Sequence, residues 1–281
     1  MSAIARRQWQ ASLSLGFAKR GEKTALVQNV HKGPLRVLKP FYPEYDVCHT
    51  YLLHPPGGLV LGDELNIDIS VSSGAHALVT TPSAGKVYST DNAEEPQFQK
   101  VSLDVKGDGC LEWLPQETLI FDGANARLLL DAKIDQGSKL ALWDIVCFGR
   151  PASRLAFLTG SALQHIRIEQ AGKPLLIERN WIEAGSDLQL SKWGMAGFDT
   201  FGTFIVTLEK PRQTRQSWQG LLNDTFGAEH QFAITQKGSL MITRYLGPSA
   251  SIARQGFEVL WQTLRPEFNS RPACAPRIWA T

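Results

Sequence analysis

The feature that most constrains this chain is a period of two that recurs from Ala11 to about Thr207. Leu13, Leu15 and Phe17 alternate with small or polar residues, as do Leu65, Ile67, Ile69 and Val71, and then Val101, Leu103 and Val105. Successive side chains of an extended backbone point to opposite faces, so this spacing puts the apolar set on one buried face. Asn66, Asp68 and Ser70, or Ser102 and Asp104, then fall on a face in contact with water. Turn signals close the runs, among them Lys32-Gly33-Pro34, Ser73-Gly74, Lys106-Gly107-Asp108-Gly109, Gln136-Gly137 and Ala171-Gly172-Lys173. A mostly β protein built of short strands is predicted.

Helical spacing enters only toward the C-terminus. Trp218, Leu221, Leu222 and Phe226 form one set, and Ala253, Phe257, Leu260, Trp261 and Leu264 form a second. The second helix is predicted to start near Ser249 or Ser251, either of which can cap it, and to stop before Pro266. No linker, composition shift or regular repeat divides the chain, so residues 1–281 are expected to form a single elongated domain carrying two helices.

Composition excludes several function classes. The net charge of +2 supplies no field of one sign, which removes nucleic acid and anionic membrane surfaces as expected partners. No stretch reaches the roughly 18 apolar residues that span a bilayer. The opening MSAIARRQWQ lacks the apolar run of a secretory signal, and a cytoplasmic address is expected. Cys48, Cys110, Cys147 and Cys274 are widely spaced with no CxxC pair, so neither a zinc ribbon nor a redox motif is written here.

Motifs for catalysis are missing. There is no G-x-S-x-G, and no histidine falls in HExxH spacing. Gly85-Lys86 sits in a failed phosphate-loop frame, with Thr80 where the first glycine belongs and Val87 where a hydroxyl must hold Mg²⁺. The richest segment is His54-Pro55-Pro56-Gly57-Gly58-Leu59-Val60-Leu61-Gly62-Asp63-Glu64, which delivers two adjacent carboxylates to the start of a strand. Such oxygens suit hard or borderline cations, while a turn capped in solvent would use the same residues. Cys48, His49 and His54 could add softer ligands, although Cys48 and His49 must point to opposite faces of a strand. Two further carboxylates, Asp144 and Glu178, stand inside apolar runs, where a charge is costly unless paired, hydrated or in use. They read either as a buried ion pair, with Arg150 or Arg179 as partner, or as part of a polar passage.

Three blocks together carry a family resemblance. The first runs from Pro56-Gly57-Gly58-Leu59-Val60-Leu61-Gly62-Asp63 through Gly74-Ala75-His76-Ala77 and Thr80-Thr81-Pro82 to Lys86-Val87-Tyr88. The second is Leu111-Glu112-Trp113-Leu114-Pro115-Gln116-Glu117-Thr118-Leu119-Ile120-Phe121, and the third is Arg271-Pro272-Ala273-Cys274-Ala275-Pro276-Arg277-Ile278-Trp279. From about Ala11 onward the chain resembles the urease accessory protein UreD family, called UreH in some organisms. The resemblance implies an elongated, β-helix-like stack of strands with two helices, and a maturation chaperone in place of an enzyme. It implies binding to apo-urease and, through UreF, to the GTPase UreG in a hetero-oligomeric assembly, with UreE supplying nickel. No cofactor is expected to stay bound. Ni²⁺ is expected in transit, through an internal water-filled passage, on its way to a dinickel centre in urease.

Position by position, the resemblance implies passage roles for Asp63 and Glu64, with Ser83 and Lys86 nearby, and for Asp144 and Glu178. Scattered carboxylates with water suit the release of a cation better than a tight Cys/His cage. The chain departs from the family at Arg154-Leu155, where relatives usually have Gly-Glu. Two rival readings stay open: a β scaffold that only bridges partners, and a β-rich hydrolase using Asp63 or Glu64 as acid and Glu178 as base.

Overall fold

A computed structural model describes residues 9–90 and 95–280. Residues 1–8, on which the absence of a secretory signal was read, lie outside the described residues, as does the last residue of the expected 1–281 domain. Along the chain the strands are β1 (Gln10–Arg20), β2 (Lys23–Lys32), β3 (Arg36–Val37), β4 (Cys48–Leu53), β5 (Glu64–Val71), β6 (His76–Thr80), β7 (Gly85–Val87), β8 (Gln97–Val105), β9 (Cys110–Trp113), β10 (Thr118–Ile120), β11 (Asn125–Ile134), β12 (Lys139–Phe148), β13 (Ser161–Gln170), β14 (Lys173–Glu183), β15 (Thr200–Thr207), β16 (Gln231–Lys237) and β17 (Leu240–Gly247). The α-helices are α1 (Asp187–Leu190), α2 (Arg212–Phe226) and α3 (Ala250–Asn269). The mostly β expectation holds.

The strands form two sheets. One runs β14-β13-β11-β8-β5-β1-β2, and the other runs β16-β17-β15-β12-β9-β6-β4-β3 with β10 and β7 attached beside β12. Neighbours in the middle of each sheet are parallel: β1, β5, β8, β11 and β13 in the first, and β4, β6, β9 and β12 in the second. Parallel neighbours cannot be joined by a hairpin. The chain reaches each next one by crossing to the other sheet and back, as in the passage from β8 through β9 and β10 to β11. What the resemblance implies as a β-helix-like stack takes the form of two sheets that share one core.

The alternation read in the sequence is the inner face of the seven-stranded sheet. Leu13, Leu15, Phe17, Ile67, Ile69 and Leu103 meet Ala77, Val79, Leu111, Leu142 and Val146 of the ten-stranded sheet. The ten-stranded sheet is apolar on both faces, which is why β12 reads as a near-continuous apolar run. Its second face, with Leu78, Trp143, Ile145 and Phe204, packs under Phe257, Leu260, Trp261 and Leu264 of α3 and Leu222 of α2. The result is three layers: sheet, sheet, helices.

Three local expectations are corrected. There are three α-helices, because Ser186 caps a four-residue turn, α1, inside the region read as strands. Helix α3 starts at Ser249 as expected but continues through Pro266 to Asn269. Proline costs a helix one hydrogen bond, and here the following turn is fixed from outside: Phe268 is buried, and Glu267 pairs with Lys210. Glu178 does pair with an arginine, but it is Arg244 of β17 and neither Arg150 nor Arg179. Arg150 lies over the ring of Phe121, and Arg179 is exposed on the opposite face of β14 from Glu178.

Candidate functional site

The Gly-rich loop is laid along β7. The amide of Leu59 donates to the carbonyl of Lys86 at 2.8 Å, and the amide of Tyr88 donates to the carbonyl of Leu59 at 2.9 Å. Gly58 makes this approach possible, since a Cβ there would stand 2.5 Å from the Tyr88 ring and 2.8 Å from the Lys86 carbonyl oxygen. Loop and strand together wall a cavity of 440 Å³ between the sheets, with His54, Ser83, Lys86 and Trp113 among its lining residues. Asp144 is the only acidic side chain among the described residues that line it. Burial lowers the pKa of His54, and the charge of Asp63 works the other way.

Asp144 faces the seven-stranded sheet by simple alternation, on the same side of β12 as Leu142 and Val146. Its Oδ2 accepts a hydrogen bond from Nε2 of Gln164 at 2.7 Å. Burial raises its pKa, the Gln164 bond offsets part of that, and the charge of Glu178 adds to it. Gln164 sits on β13 directly opposite Asn180 of β14 in the ladder, and its Oε1 accepts from Nδ2 of Asn180 at 2.8 Å. Asn180 also donates to Oε1 of Glu178 at 3.3 Å, Thr203 donates to the same oxygen at 3.4 Å, and Arg244 donates to Oε2 at 2.7 Å. Glu178, Asn180, Thr203 and Arg244 border a second cavity of 330 Å³. A polar chain therefore crosses an apolar core from one cavity to the other, with a carboxylate at each end.

The structure brings Asp144 and Glu178 together and places the loop carboxylates elsewhere. Asp63 caps its own turn, accepting the amide of Val60 at 2.9 Å, and burial raises its pKa. Glu64 lies on the outer face of β5, bound to Lys100 at 2.6 Å. Ser83 and Lys86 line the first cavity. His49 is bound to Glu44 and Cys48 lies in the inter-sheet core, each on its own face of β4. Among the described residues no three His, Cys, Asp or Glu side chains come together as a metal site. Asp144 and Glu178 border different cavities.

The sequence profile described as "UreD urease accessory protein" matches residues 10–280. The chain belongs to this family. It is 46% identical over 277 residues to the urease accessory protein UreD of Saccharophagus degradans, covering 98% of this chain and 94% of that one. It is 40% identical over 286 residues to the UreD of Chromohalobacter salexigens, covering 98% and 90%, and 40% identical over 284 residues to that of Pseudoalteromonas translucida, covering 99% and 93%.

Within this UreD-family chain, sequence reading missed Gln164 and Asn180, which join the two carboxylates, and Arg244, which pairs with Glu178. Gln164 left a trace: it is the one polar residue on the buried side of the run Ala162, Gln164, Ile166, Ile168. It missed also a charged cluster on the helix side. There Glu112 accepts from Nε1 of Trp261 at 2.6 Å and from Arg265, and contacts Nε2 of His76 at 2.6 Å. Arg265 reaches Glu44 as well, at 2.7 Å. The Pro-rich tail packs on the body: Trp279 donates to Thr80 at 2.9 Å and meets Trp143 at a tilt and Trp261 edge-on, and Arg271 pairs with Asp46. At the family departure, Arg154 adopts a left-handed conformation after a single 3₁₀ turn, with Leu155 half exposed.

Proposed function

We propose that this chain is a non-catalytic subunit of urease maturation, which binds apo-urease and, with UreF and the GTPase UreG, conducts Ni²⁺ through its interior toward the urease active site in the cytoplasm. The observation that carries the reading is the polar chain between the two cavities. A carboxylate is costly inside an apolar core, and here Asp144 and Glu178 each border a cavity and are joined through Gln164 and Asn180. Ni²⁺ would enter beside the Gly-rich loop, past Ser83 and Lys86, rest briefly on Asp144, and leave by Glu178. Carboxylates bind a borderline cation less tenaciously than thiolate or imidazole cages do, which suits conduction. The separation of Asp144 and Glu178 into different cavities favours this over a hydrolase, whose acid and base must flank one bond.

The test is nickel-dependent activation of apo-urease by the assembled accessory proteins in bicarbonate. Asp144→Asn and Glu178→Gln are expected to lower the activation rate by about tenfold or more, equivalent to roughly 1.4 kcal/mol on the barrier, in complexes that still assemble. Unchanged rates from both variants in intact complexes would leave the chain a bridging scaffold.

A further inference from the structure

The two cavities approach each other at one side chain. Gln164 is 2% exposed and stands between Asp144, which borders the first cavity, and Asn180 and Glu178, which border the second. An amide has a donor end and an acceptor end. As found, the donor end is turned to Asp144 at 2.7 Å and the acceptor end to Asn180 at 2.8 Å. A cation at Asp144 would face the electropositive NH₂ group, which already holds one of the two carboxylate oxygens, Oδ2. The bridge is closed to a cation in this orientation.

The closure is reversible in principle, because the terminal torsion of a glutamine is broad and roughly two-fold. A half-turn would aim Oε1 at Asp144, giving a pair of oxygens suited to a divalent ion. It would also aim Nε2 at Nδ2 of Asn180, and two donors cannot face each other, so Asn180 must turn in response. Its turning removes the 3.3 Å bond from Nδ2 to Oε1 of Glu178. That oxygen then keeps only the 3.4 Å contact from Thr203, while Arg244 holds the other. A cation arriving at Asp144 thereby favours the state in which Glu178 is free to take it, which is the differential contact that a ligand-driven switch requires.

We infer that the Gln164–Asn180 amide pair is a gate between the two cavities, shut when Asp144 is empty and opened by a divalent cation bound there. The inference rests on the transit reading above. Gln164 and Asn180 act by positioning, and no bond is made or broken in the switch.

The experiment uses the full chain assembled with its partner proteins and apo-urease, with Ni²⁺ as the probe. Gln164→Leu keeps the bulk and cannot present an oxygen; activation is expected to fall about tenfold or more. Gln164→Glu fixes a third carboxylate between Asp144 and Glu178, and that complex is expected to retain Ni²⁺ through gel filtration where the parent complex does not. Retention of metal is a readout that a merely structural side chain would not move. If Gln164→Leu fails to enter the complex, Gln164→Asn shortens the same amide and is expected to lose activation similarly. An assembled Gln164→Leu or Gln164→Asn complex that activates within about twofold of the parent, or no gain in retained Ni²⁺ with Gln164→Glu, overturns the gate. If Asp144→Asn and Glu178→Gln are slow while Gln164→Leu is not, transit stands and the gate alone falls. If none of the three is slow, both fall.

Discussion

Arg265 of α3 and Glu112 of β9 form an ion pair at 3.0 Å in which neither side chain is exposed to solvent. The same guanidinium also reaches Glu44, so one side chain fixes α3 both to β9 and to the connection between β3 and β4. Pairs of this kind contribute little net stability when intact, but removing one partner leaves a buried charge unanswered.

Arg265→Leu is accordingly expected to cost about 3–5 kcal/mol, because Glu112 and Glu44 lose their shared cation together. Urea denaturation of the purified chain measures it. A loss below about 1 kcal/mol would mean that water or His76 compensates.

The same cluster gives the fold a pH window. Burial alone would raise the Glu112 carboxyl, but the bonds and charges of His76 and Arg265 bring it down to about 2. Burial alone would lower the His76 imidazole, but Cys110 and Glu112 lift it to about 10. A depressed carboxyl contributes stability above its ordinary value of 4.5, lost as pH falls toward about 2. A raised imidazole contributes stability fully present below 6.5 and lost as pH climbs toward about 10. The melting temperature is therefore expected to decline on both sides, and His76→Gln should flatten the alkaline limb. An alkaline decline that survives this substitution unchanged would remove His76 as its cause.

Glu64 serves as the internal control for the four carboxylates. Its bond to Lys100 is on a partly exposed sheet face, where such pairs are worth about 0–1 kcal/mol. Glu64→Gln should shift stability by no more than that and leave urease activation unchanged. A large fall in activation would place the entry of the passage on the outer face of β5.

Gly58→Ala tests the loop that walls the first cavity. The added methyl meets the Tyr88 ring and the Lys86 backbone oxygen, and only the ring can move aside. A loss of about 1–3 kcal/mol is expected, accompanied by slower activation. A stable variant with unaltered activation would show that the loop can part from β7 without consequence for the cavity.

Much of this architecture was legible in the sequence because it rests on local periodicity. Leu13, Leu15 and Phe17 or Ile67 and Ile69 announce an inner face without any knowledge of what covers it. Asp144 and Glu178 were legible for a related reason: a charge inside an apolar run is conspicuous wherever it points. Asp63 and Glu64, adjacent in sequence, turn apart where β5 begins, one carboxylate to its own loop and the other to Lys100, a divergence that the sequence does not display. Gln164 and Asn180 stayed hidden because neutral amides are ordinary in strands, and only the pairing of β13 with β14 aligns them with Asp144. The end of α3 was misjudged for the same kind of reason, since proline was read by its local cost while Phe268 and Glu267 hold the turn through partners far away in sequence.

The burial of the tail sets the order in which this molecule can be finished. Thr80, Asp46 and Glu44 are synthesised about two hundred residues ahead of their partners Trp279, Arg271 and Arg265. Until those arrive, the helix side of the ten-stranded sheet, with Trp143 at its centre, stands uncovered. Nascent and C-terminally clipped chains share that bare surface, so they are the forms from which aggregation should start.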